Sequence, residues 1–158
     1  MTKMKNNNYP TWLVPIEIAK ELKGIGFDEL TLFHYYENDF DVTIETNSYY
    51  DEGEAQGYLH FYISAFKEEN FNKDKKCISL PTWEQVFAWF REKGYESYIR
   101  LESHSHFDEG NYYYFEITKP NLYRINQLDW QGDFDDYNEV QEALVKALIR
   151  TYKQEQLK

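Results

Sequence analysis

Cysteine occurs once in the 158 residues, as Cys77, so no internal disulfide can form and the disulfide framework of small secreted domains is excluded. No apolar run approaches the roughly 18 residues of a membrane helix. The opening Met1-Thr-Lys-Met-Lys-Asn-Asn-Asn has basic residues with no apolar stretch behind them, so it does not read as a secretory signal, and the cytoplasm is the expected location. Positive charge is scarce: 17 Lys and Arg stand against 28 Asp and Glu, a net charge of -11 and a pI of about 4.8. Affinity for a polyanion rests on basic side chains, so direct binding of nucleic acid and of an anionic membrane is disfavoured. No Gly-x-Ser-x-Gly elbow, glycine-rich phosphate loop or dinucleotide fingerprint is present, and paired carboxylates are too abundant to be diagnostic. An enzyme is left without support, and no cofactor is expected.

Apolar side chain is plentiful, at 42% hydrophobic and 19% aromatic residues, which is far above the composition of a disordered chain. The mean hydropathy of -0.80 reflects in part 15 tyrosines, whose rings bury apolar area although hydropathy scales count them as polar. The length suits one domain with its own core. Residues 1–9 read as a polar tail and 10–158 as a single α+β domain.

Periodicity places the elements. Ile16, Ala19 and Leu22 recur at helical spacing over residues 15–23, with Pro15 at the start and Gly24 and Gly26 as a stop. Leu30 to Glu37 is an apolar run of strand length, and after Asn38-Asp39 the residues Phe40, Val42 and Ile44 alternate with polar ones, a hairpin signal. Tyr58 to Phe66 alternates again and predicts a third strand. Cys77-Ile-Ser-Leu-Pro leads into a helix announced by Thr82 and Gln85 at capping-box spacing, with Trp83, Val86, Phe87 and Phe90 as its stripe and Gly94 as its end. Tyr95–Ser103 and Tyr112–Lys119 form a second hairpin, with Tyr113, Phe115 and Ile117 on one face and Tyr112 and Tyr114 on the other. Residues 120–136, with Pro120 and Gly132, read as a loop, and Asp136 and Glu139 open a last helix with the stripe Val140, Leu144, Ala147, Leu148 and Thr151. The expected architecture is α+β: an antiparallel sheet of about five strands with three helices, in the order α-β-β-β-α-β-β-α.

Three helix-forming phrases, Pro15-Ile-Glu-Ile-Ala-Lys-Glu-Leu-Lys-Gly-Ile-Gly-Phe-Asp-Glu, Pro81-Thr-Trp-Glu-Gln-Val-Phe-Ala-Trp-Phe-Arg-Glu-Lys-Gly and Glu142-Ala-Leu-Val-Lys-Ala-Leu-Ile, cover about a quarter of the chain. Together they resemble a group of small uncharacterised proteins of Bacteroidota genomes and their phages and mobile elements. The resemblance implies an accessory protein of a mobile element, and supplies no activity and no site.

Several constellations carry chemistry. His104 and His106 with Asp108 are the best metal candidates, two imidazoles and a carboxylate at alternate positions; a solvated hairpin tip explains them more simply. Asp129, Asp133, Asp135 and Asp136 around Gly132 lack the spacing of a calcium loop, and helix capping suits the last two better. Cys77 has no sequence signature of a nucleophile and reads as a buried or edge thiol. From Asp28 to Glu54 nine acids occur without a lysine or arginine, and Asp39, Asp41, Glu45, Asp51, Glu52 and Glu54 form a candidate acidic patch able to steer a basic protein surface. Finally, Tyr58, Tyr62, Tyr98, Tyr112 and Tyr114 crowd the strand face opposite the apolar one. Either a helix covers that face or it is a tyrosine-rich interface. The leading expectation is a non-enzymatic module that binds a protein partner, or itself as a homodimer, through that face. The alternatives are an inhibitor mimicking nucleic-acid charge and a metal-dependent enzyme at His104 and His106.

Overall fold

Thr82 and Gln85 form the reciprocal cap that their spacing predicts. The Thr82 hydroxyl accepts from the Gln85 N–H at 3.2 Å and the Gln85 side chain accepts from the Thr82 N–H at 2.9 Å, starting helix α2 (Trp83–Glu92). Gly94, at φ 87°, turns the chain beyond its end. The computed structural model describes residues 9–37, 39–44, 67–103, 110–122 and 124–157, with backbone alone at 39–41. Its other elements are α1 (Ile16–Gly24), β1 (Phe33–Tyr36), β2 (Asp39–Ile44), β3 (Cys77–Leu80), β4 (Glu96–Ser103), β5 (Asn111–Pro120), β6 (Ile125–Phe134) and α3 (Tyr137–Gln156). The Asp136 carboxylate caps α3 by accepting from the N–H groups of Asn138 and Glu139.

The α+β class and the three helices match the sequence reading; the strand count does not. Six strands form two three-stranded antiparallel sheets, β2-β1-β3 and β4-β5-β6, in place of one sheet of about five. Two segments make the difference. Residues 77–80, read as a lead-in to α2, are β3, all four of them buried, and most of 120–136, read as a loop, is β6. The strand expected at Tyr58–Phe66 lies outside the described residues. The first strand is also shorter than the apolar run Leu30–Glu37 suggests.

Helix α1 packs on β3 and on α3, α3 packs on β5 and β6, and α2 touches β4 and α3. One continuous core results, from Leu13 and Val14 through Ile18, Leu22, Val86, Phe90, Phe115 and Ile117 to Leu144 and Leu148. On α2 the fully enclosed indole is Trp89, while Trp83 and Phe87 of the expected stripe are only partly buried. Trp89 meets the cost of burying its N–H by donating to Asp28 at 2.9 Å. The loop before β3 is fixed by the Lys23 ammonium, which donates to the carbonyls of Asp74, Lys75 and Cys77 at 2.6, 3.2 and 2.6 Å. No described helix is long and apolar enough to cross a membrane.

Candidate functional site

On β5, Phe115 and Ile117 are fully buried and Tyr113 packs against the core. Strand alternation therefore turns Tyr112, Tyr114 and Glu116 to the other side of the sheet. Antiparallel pairing extends that side across the neighbours, because directly opposed residues share a face. From β4, Tyr98 lies opposite Glu116, Arg100 opposite Tyr114 and Glu102 opposite Tyr112. From β6, Trp130 lies opposite Glu116.

The rings of this face are in contact. Tyr112 and Tyr114 have centroids 6.4 Å apart and Tyr114 and Trp130 5.9 Å apart, both tilted. The Arg100 guanidinium lies 4.6 Å from the centre of the Tyr98 ring, a cation–π contact. Tyr98 donates its hydroxyl to Glu116, and Tyr112 donates to Glu102 at 3.1 Å. Each of these bonds is the main reason that its phenol is raised above the usual tyrosine value of 10.0, so both hydroxyls remain protonated donors at neutral pH. The three tyrosines are half-buried and Trp130 is 49% exposed.

All contacts of α3 with this sheet that are resolved at side-chain level fall on the opposite side. Arg150 reaches Asp129 at 2.5 Å, Lys119 reaches Glu155, and Tyr137 meets Tyr113 edge to face at 5.7 Å. The Glu155 carboxylate also accepts from Tyr95 at 2.5 Å, tying the end of α3 to the start of β4 as well as to β5. None of the three helices lies over the tyrosine face.

A β-bulge shapes the Trp130 corner. Between Gln131, opposite Phe115, and Phe134, opposite Tyr113, β6 has two residues where β5 has one. The first, Gly132, leaves room for the Trp130 ring: a Cβ there would sit 2.8 Å from Cη2 of Trp130 and 3.5 Å from Cε2 of Tyr112. The second, Asp133, takes φ 65°, a left-handed conformation that aspartate tolerates better than most residues.

Tyr98, Tyr112 and Tyr114 thus come together as the sequence suggested. Tyr58, Tyr62, Glu45, Asp51, Glu52, Glu54, His104, His106 and Asp108 lie outside the described residues. Asp39 and Asp41 are on β2, in the other sheet. Of the six acids between Arg124 and Lys146, a stretch without Lys or Arg, three are committed to the fold: Asp136 is a helix cap, Asp129 is paired to Arg150 and Glu142 is paired to Lys146 at 2.5 Å. Cys77 is a buried thiol at the start of β3. Among the described residues no three His, Cys, Asp or Glu side chains converge as a metal site would need. Sequence reasoning missed Arg100, Glu102, Glu116 and Trp130. The first three were available from the alternation of the hairpin that places Tyr98 and Tyr114, whereas Trp130 was hidden by the loop reading.

A cleft of about 470 Å³ opens on the other side of edge strand β4, between α2 and the start of α3, lined by Trp12, Trp83, Phe87, Tyr98 and Tyr137. Glu84 and Arg91, paired at 2.6 Å, lie at its edge. Tyr98 borders both this cleft and the tyrosine face. The fold and face together define the chain as an α+β domain with an accessible aromatic sheet surface. No protein-family model matches the chain, and neither curated proteins nor solved structures give a significant match.

Proposed function

We propose that this protein is a non-enzymatic protein-binding module whose contact surface is the outer face of β4-β5-β6. The observation that supports this is a surface of touching rings, Tyr112, Tyr114 and Trp130, over which none of the described helices is laid. Tyrosine and tryptophan bring large apolar area with few rotatable bonds, the combination enriched where proteins meet. The biological setting in this reading is that of a mobile-element accessory protein, and phage or mobilisation genes as neighbours would agree with it. Tyr112→Ser/Tyr114→Ser tests the contact surface. The double variant keeps the thermal midpoint of the parent, because neither ring is in the core, and loses association with partner or second copy by sedimentation and co-purification. Retention of every association by a folded double variant contradicts the proposal.

A further inference from the structure

The acids of this protein are treated differently on the two sides of the second sheet. On the helix side four of them are matched by cations: Glu84 with Arg91, Asp129 with Arg150, Glu142 with Lys146 and Glu155 with Lys119. On the tyrosine face, Glu102 and Glu116 receive neutral phenol hydroxyls, and among the described residues neither forms a salt bridge. Glu96, opposite Thr118 on β4, shares the face by its alternation with Tyr98. Among the described residues of β4 and β5 on this face, three carboxylates therefore stand against one cation, Arg100, and that cation is stacked on Tyr98. A carboxylate accepting one hydroxyl keeps most of its lone-pair capacity, so each glutamate can still take a guanidinium in two-point contact.

We infer that the partner seats an arginine-bearing protein segment on this face, its guanidinium groups stacked on Tyr112, Tyr114 and Trp130 and paired with Glu102 and Glu116. The inference rests on the binding-module reading above and specifies its partner. Three observations favour it. Local charge is uncompensated where the aromatic rings are, a net charge of -11 attracts a basic surface and repels a second copy, and the Arg100–Tyr98 stack shows the same contact made within the fold. Arginine fits better than lysine because its flat, weakly hydrated cation covers a ring while its edge bonds a carboxylate.

The test is fluorescence polarisation with a labelled eight-residue peptide of alternating serine and arginine, alongside the same peptide carrying citrulline for arginine. The arginine peptide binds saturably, the citrulline peptide does not, and added salt weakens the complex. Trp130→Ala and Glu102→Gln/Glu116→Gln each weaken it at least fivefold. Glu17→Gln/Glu139→Gln, which removes the same charge from exposed helix positions, leaves it unchanged. The inference is overturned if the face variants bind like the parent, or if the helix variant weakens binding equally, since either result means attraction to overall charge. Sedimentation of the same proteins separates this failure from that of the broader reading. A dimer dissolved by Trp130→Ala keeps the face as a contact surface with a second copy as its occupant. If face variants alter neither peptide binding nor association, both readings fall.

Discussion

Gly132 shows how a single residue sets the surface. It is not needed for a left-handed backbone, which falls on Asp133; what it supplies is the missing Cβ beneath the Trp130 ring. The clash an alanine would make is with the far edge of a half-exposed side chain, so the ring gives way before the backbone does. Gly132→Ala is therefore expected to keep the thermal midpoint within about 2 °C, the scale of a surface change of under 1 kcal/mol. It displaces Trp130 and weakens binding of the arginine peptide by about fivefold, or roughly 1 kcal/mol. Calorimetry and polarisation on one preparation check both halves. Nothing in the sequence marked this role, because glycine in a polar stretch is an ordinary loop signal.

At the scale of elements, legibility followed the regularity of the local pattern. Helix α2 was readable because its cap is a short-range hydrogen-bond exchange between residues 82 and 85, independent of the rest of the fold. Thr82→Ala removes the side-chain acceptor of that exchange. It should cost about 1 kcal/mol, seen as a midpoint lower by about 2–4 °C in thermal unfolding. The β4–β5 hairpin was readable because its strands keep an unbroken register, and the β1–β2 hairpin because Phe40, Val42 and Ile44 alternate with polar residues, although its register shifts at Tyr35/Tyr36. Strand β6 was not, because it departs from two-residue alternation twice: register shifts lie opposite Tyr113/Phe115 and opposite Ile117/Thr118. The second lets Leu128 pack against the core and Asp129 reach Arg150, so neighbouring residues point where a regular strand would not send them. Strand β3 failed for another reason. Four buried residues in a row have no alternation to show, and their burial comes from α1 and the turn at Phe71–Lys73, both packed on the strand. The tyrosine face was legible where it sat on regular strands, at Tyr98, Tyr112 and Tyr114, and illegible where it sat on the bulged one, at Trp130.

For the molecule as a whole, several protons are held by the folded state beyond the pH at which the unfolded chain releases them. Burial raises Tyr9, whose hydroxyl donates to the Val14 carbonyl at 2.6 Å, from 10.0 to about 12. Burial and the bond to Glu155 raise Tyr95, and the same carboxylate raises Lys119. In each case the folded-state pKa exceeds the unfolded one, so the stabilisation is complete below the unfolded value and is lost as pH rises through the folded one. For Tyr9 that window runs from 10.0 to about 12. The thermal midpoint is expected to hold level against loss of these protons up to about pH 9.5 and to fall steeply above the ordinary tyrosine value near 10. Tyr9→Phe should flatten part of the fall while starting lower for want of the hydrogen bond. An equally steep alkaline fall in the variant would show that the Tyr9 proton does not contribute to it.

Which surface of this acidic domain meets its partner is reported separately by the four tryptophans of the chain. Trp130 stands on the tyrosine face, Trp12 and Trp83 line the cleft beyond β4, and Trp89 is enclosed in the core. The most direct measurement is the indole N–H region of a two-dimensional nitrogen–proton NMR spectrum during titration with the arginine peptide. The Trp130 signal is expected to move saturably while those of Trp12, Trp83 and Trp89 stay in place. A Trp130 signal that stays fixed while Trp12 or Trp83 shifts would contradict that expectation and assign the contact to the cleft.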